Sequence, residues 1–136
     1  MLGGFRLIGD VGLPPGEGGW GIAGLAYGEL TDFDLHISLS EKPDRHWLLV
    51  FPRPESFRIL NESDLDLYWR VRDMENAGYG LLYSIAHSPY LAEMARCISG
   101  QTRSLFHYLV ATGDDCIEVV TSAPPILPIV AASPAR

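Results

Sequence analysis

The sequence predicts an α+β domain: a mostly antiparallel, twisted sheet of about six to eight strands with two helices packed on one face. Three observations point there. Extended segments with period-two or wholly apolar patterns dominate the chain. Only two segments carry helical spacing, and each opens on a capping signal. Connections between successive strands are short, which favours antiparallel neighbours. With 136 residues and 47% hydrophobic content, the chain suits a single domain over residues 1–122. Residues 123–136 hold four prolines in fourteen positions and are expected to form a Pro-rich tail.

Phe5 to Ile8 reads as a short first strand, and the Gly- and Pro-rich stretch 9–19 as a loop. Trp20 to Tyr27 alternates weakly, with small residues that suit close packing on a neighbour. Phe33, Leu35, Ile37 and Leu39 alternate with Asp34, His36, Ser38 and Ser40, the pattern of a strand with one wet face. Glu41 to Arg45 is the following turn. Trp47 to Phe51 is apolar on both faces, as a central strand is. Pro52 and Pro54 end it, and Phe57 to Leu60 resumes extended structure.

Asn61 or Ser63 is placed to cap the first helix, with Asp64 and Asp66 at its positive end. Leu65, Tyr68, Trp69 and Arg72 share one face. Tyr79 to Ala86 is a further strand. Ser88-Pro89 opens the second helix, with Leu91, Met94, Ala95 and Ile98 as its expected inner stripe and Gly100 as its stop. A hairpin of 104–112 and 116–121, joined by Gly113-Asp114-Asp115, closes the domain. That spacing places Thr112 near Cys116 and His107 opposite Thr121.

The formal net charge is −7, from 17 acidic and 10 basic side chains. A field of that sign repels nucleic acid and anionic bilayers and attracts basic proteins or cations. Cys97 and Cys116 are too few for a disulfide framework and read as buried thiols in a reducing, cytoplasmic setting. The amino terminus lacks the charged and apolar regions of a signal peptide, and no apolar run reaches membrane-spanning length.

Several groups bear chemistry. Gly16, Gly18 and Gly21 match a dinucleotide-loop spacing, but Pro14-Pro15 precedes them and a strand-like segment follows, so a loop explains them better and no cofactor is expected. Asp32, Asp34 and His36 share a strand face and could bind a divalent metal or exchange protons, or simply be the solvated face of an edge strand. The sequence does not specify the metal. His87 precedes the second helix and could join His36 in a ligand crevice. Tyr68, Trp69, Tyr79, Tyr83 and Tyr90 could be its aromatic walls, though at helical and strand spacing such residues are more often core. A Cys–His dyad requires His87 to meet a thiol from elsewhere in the fold. Asp114, Asp115 and Glu118 give the hairpin tip a negative patch suited to a basic partner. Pro125 and Pro128 fit a PxxP spacing, while the apolar residues around them favour docking on the chain's own domain or on a twin subunit.

The segments Trp47–Phe51, Phe57-Arg58, Asp64-Leu65 with Tyr68-Trp69, Ser88 with Tyr90-Leu91, His107-Tyr108 and Cys116–Val119 together resemble a pattern of small uncharacterised bacterial proteins. Some of these are encoded beside toxin genes and are taken to be immunity proteins. The resemblance spans roughly residues 47 to 125, rests mostly on core positions and transfers no catalytic residue. It implies an immunity-protein character; the negative charge balance and the lack of a complete catalytic constellation point to a non-enzymatic, acidic interaction module with a basic protein partner. A small-ligand binder or enzyme using His36 and His87, and a homodimer joined through the carboxy-terminal segment, are the alternatives.

Overall fold

The computed structural model describes residues 1–8, 20–27, 32–39, 45–98, 104–113 and 115–132. The predicted loop 9–19 with most of its glycine pattern, the turn at 41–44, Gly100 and Asp114 lie outside the described residues. The α+β class, the antiparallel pairing and the two helices are as the sequence predicts. The strands, nine among the described residues, divide between two sheets rather than one.

The first sheet contains β1 (Gly3–Leu7), β5 (Ser56–Asn61), β6 (Leu82–His87), β7 (Phe106–Ala111) and β8 (Asp115–Thr121), in the order β1-β6-β7-β8-β5. The second contains β2 (Trp20–Tyr27), β3 (Phe33–Leu39), β4 (Arg45–Phe51) and β9 (Ile126–Ala132), in the order β2-β3-β4-β9. Phe33, Leu35 and Ile37 of β3 and Trp47, Leu49 and Phe51 of β4 face Leu82, Tyr108, Val110, Ile117 and Val119 of the first sheet, forming one core. Phe57 stacks on Phe33 with centroids 4.4 Å apart, and Tyr27 meets Phe57 edge-on. This aromatic group seals the margin where β2 and β5 adjoin.

Helix α1 (Asp66–Met74) follows a 3-10 turn at Glu62–Asp64, whose cap is Asn61: its Oδ1 accepts the Ser63 N–H. Leu65, Tyr68, Trp69 and Val71 cover the other face of the first sheet over Phe5, Tyr83, Ile85, Leu109 and Cys116. The first sheet is therefore a middle layer, apolar on both sides, with the second sheet below and the helices above. Helix α2 (Pro89–Cys97) starts as predicted, Ser88 Oγ accepting the Leu91 N–H and Pro89 taking the first turn. Its expected inner stripe is not buried as a set; Tyr90 is the buried side chain of this helix, and Ala95 is exposed.

The predicted tail needs correction. Ile126–Ala132 is β9, paired antiparallel to β4 through partners such as Trp47↔Val130 and Leu48↔Ile129. Pro128 is tolerated because β9 is an edge strand and the register slips between Leu48↔Ile129 and Val50↔Ile126. The segment docks on its own domain. At the other end of the chain, Gly4 holds φ +75°, and a Cβ there would lie 2.5 Å from that of Ala86, so β1 can cross β6 only with glycine at this point. The adjoining amides of Gly4 and Phe5 donate to the Glu75 carboxylate at 2.9 and 2.8 Å, which holds that carboxyl below its ordinary range.

Candidate functional site

The hairpin register decides where the chemistry lies. Ala111 pairs with Cys116, Leu109 with Glu118 and His107 with Val120. This is one residue away from the spacing the sequence suggests. Because side chains alternate between faces, a one-residue step carries Glu118 to the face that also holds His107. Glu118, expected in the exposed acidic patch, is instead fully buried beneath the helices.

A polar network surrounds it. Arg58 Nε on β5 donates to Glu118 Oε1 at 2.7 Å, and the Tyr68 hydroxyl on α1 donates to Oε2 at 2.7 Å. His107 Nε2 lies 2.5 Å from Oε2 as an ion-pair contact, but it is not aligned as a hydrogen bond and has no hydrogen-bond partner among the described residues. On the far side of the imidazole, Nδ1 shares a 2.7 Å hydrogen bond with Ser88 Oγ, the cap of α2. A proton on Nε2 leaves Nδ1 free to accept from Ser88, whose oxygen still accepts the Leu91 amide. Ser88 Oγ and Nδ1 are then both satisfied, while Nε2 has the Glu118 carboxylate beside it as an ion-pair contact only. The Arg58 guanidinium lies 4.0 Å over the Tyr90 ring, and Tyr90 shares a 2.6 Å hydrogen bond with Ser56. Arg58 is 41% exposed and is where the network meets solvent.

The electrostatics follow from this geometry. Burial alone would raise the Glu118 pKa, but the adjacent His107 imidazole and the hydrogen bonds from Tyr68 and Arg58 outweigh it and hold the carboxyl below its ordinary range. Burial works against the Arg58 charge, and Glu118 more than compensates, so its pKa rises. Tyr68 is pushed up by burial and then by the neighbouring carboxylate, which keeps its phenol a donor. Burial raises Cys116 to about 11, so it is a thiol at neutral pH and does not meet the His107 imidazole as a nucleophile.

Ser88, His107 and Glu118 have the residue types of a nucleophile, base and orienting acid. Their setting differs from a working site of that kind. The Ser88 oxygen is buried and occupied as a helix cap, and the next residue is proline, which has no N–H to stabilise an oxyanion. The arrangement ties two helices to a sheet. Replacing Ser88 by alanine should cost about 1–2 kcal/mol, the worth of a cap with a buried hydrogen bond. A shift in the urea midpoint with unchanged slope would measure it; no shift would mean that the cap carries no energy.

The other predicted residues do not form one site: Asp34 and His36 share a strand face as expected, but His87 belongs to the other sheet. Asp32 precedes β3, and Asp34 and His36 lie on the outer face of the second sheet. β3 is an interior strand, not the edge strand expected. His87 is exposed at the end of β6, opposite Gly3 in the first sheet. Among the described residues, no group of three or more His, Cys, Asp or Glu is placed to hold a metal ion. The aromatic set is likewise divided. Tyr68 and Tyr90 belong to the Glu118 network. Buried Tyr83 clamps Gly78 and Gly80, and exposed Tyr79 lies under Arg72. Asp115 is exposed beside Asn61, where β5 runs into the acidic turn Glu62–Asp64.

The sequence signal for Glu118 was a lone charge within the apolar run Cys116–Val120, and for His107 an imidazole among Phe106, Tyr108, Leu109 and Val110. Comparison with family models, curated proteins and solved structures finds no match to this chain.

Proposed function

We propose that the chain is an acidic protein-binding module that docks a basic protein at the end of the first sheet and along the outer face of α1. The supporting observation is that exposed Asp115 pairs with Asn61, where β5 leads directly into exposed Asp64 and Asp66 and the exposed apolar side chains Leu67 (56%) and Met74 (76%). Leu67 and Met74 are seven positions apart, two helical turns, and therefore share a face. Apolar contact supplies affinity there, and the flanking carboxylates supply steering and charge selection. Relative to the patch expected from sequence, Glu118 is withdrawn and the acids of the first helix take its place.

The sequence resemblance suggests that the partner is a basic toxin and the role immunity, acting in the cytoplasm. Free Cys97 and Cys116 fit a reducing compartment. No helix among the described residues is long and apolar enough to cross a membrane. The alternative crevice between His36 and His87 has no support from their positions on separate sheets.

Capturing partners with the wild-type chain, then measuring the captured protein against Asp64→Lys/Asp66→Lys/Asp115→Lys and against Leu67→Ser, tests this surface. The triple variant should lose roughly tenfold or more in affinity and most of its salt dependence. Leu67→Ser should weaken binding without changing the salt slope. A partner that binds all three proteins with equal affinity and slope would refute the docking surface.

A further inference from the structure

Glu118 is unusual in what it joins. Its donors come from β5 (Arg58) and α1 (Tyr68), and His107 of β7 packs against it as an ion-pair contact and passes the connection to the cap of α2. Tyr90 adds a second link from α2, through its ring under Arg58 and its hydroxyl on Ser56. The charged and titratable groups facing the carboxylate are therefore Arg58, Tyr68, His107 and Tyr90, with Cys116 beside it on β8 and Glu93 of α2 acting on Tyr90. The core between the sheets is a separate apolar cluster and shares no residue with the one beneath α1.

We propose that Glu118 is a latch for the helical layer: it holds α1 directly and α2 through His107, so that loss of its negative charge frees both helices together while the core between the sheets stays closed. The product is a chain whose two sheets persist and whose Phe5, Tyr83, Ile85, Leu109 and Cys116 face opens to solvent. Independently stable layers of this kind open by sub-global unfolding, at a lower free energy than the whole domain. The latch does not depend on the docking surface proposed above.

The lowered carboxyl sets the direction. A group whose folded pKa lies below its unfolded value of 4.5 contributes stability that is present above that value and lost as pH falls through the folded one. Opening is thus expected on the acid side of the ordinary carboxylate range.

Cys116 reports the event because its thiol is buried beneath the layer, and Cys97, which is exposed, can be replaced by serine. In full-length Cys97→Ser protein, Cys116 reactivity towards a dipyridyl disulfide, which reacts in acid, is followed together with hydrogen exchange in β3 and β4. Labelling should rise below the ordinary carboxylate range while β3 and β4 keep their protection. Adding Glu118→Gln should raise labelling at neutral pH roughly tenfold or more and flatten its pH dependence. Should that variant fail to fold, Tyr68→Phe and Ser88→Ala each cut one arm of the network and should each raise labelling with β3 and β4 still protected. The latch is overturned if labelling and loss of protection occur in a single step, if Glu118→Gln labels as slowly as its parent at neutral pH, or if neither single-arm variant moves the rate.

Discussion

Replacing Glu118 by alanine is expected to cost about 3–5 kcal/mol of folding stability at neutral pH, the range for removing one partner of a buried ion pair. The loss comes mainly from what remains behind. Tyr68 would keep a donor with no acceptor and His107 would lose the only carboxylate beside its buried Nε2 among the described residues, while half-exposed Arg58 can turn to water. Equilibrium urea unfolding measures the effect, and Asp115→Ala is the control: its side chain is exposed, so it should fall within about 0.5 kcal/mol of wild type. The gap between wild type and Glu118→Ala should also narrow in acid, because the stabilisation is lost as pH drops below 4.5 towards the lowered folded value. A small, pH-independent difference would show that the network is energetically idle.

Ending the chain at Ser122 should have an effect at least as large. Without β9, β4 becomes an edge strand, losing on the order of 1 kcal/mol for each ladder hydrogen bond. Val50, only 8% exposed and paired with Ile126, would also lose cover, at roughly 1–2 kcal/mol. Against the roughly 5–15 kcal/mol that stabilises a domain, that is a major fraction. The truncated chain should melt at markedly lower temperature and aggregate through Trp47–Phe51, a newly bared apolar edge. Thermal unfolding with size analysis provides the check, and an unchanged midpoint with a monodisperse product would contradict the role of β9.

Much of the fold was legible because its signals are local. Alternation in Phe33–Leu39, the apolar run Trp47–Phe51 and the Ser88-Pro89 helix start each follow from neighbouring side chains. The division into two sheets was not legible. A strand buried on both faces looks the same whether it lies centrally in one sheet or in the middle of three layers, as β7 and β8 do. Ile126–Ala132 was obscured by Pro128, which an edge strand with a register slip accommodates. The buried network was hidden by one residue of hairpin register. Thr112 lies just after β7, its hydroxyl bonded to the Asp115 carbonyl, and Ala111 rather than Thr112 opposes Cys116. Glu118 therefore faces inward rather than sideways into water, a difference that period-two reasoning amplifies into a wrong face.

The Glu75 carboxylate has a bearing on self-association. β1 is the outermost strand of its sheet, where unpaired amides invite strand addition from a neighbouring molecule. Because Glu75 already accepts the Gly4 and Phe5 N–H groups, an incoming strand must displace an ionised side chain before it can begin to zip up. Helix α1 thereby extends its influence past its own end, and the amino-terminal border of the sheet is guarded against fibril-like growth by a single residue.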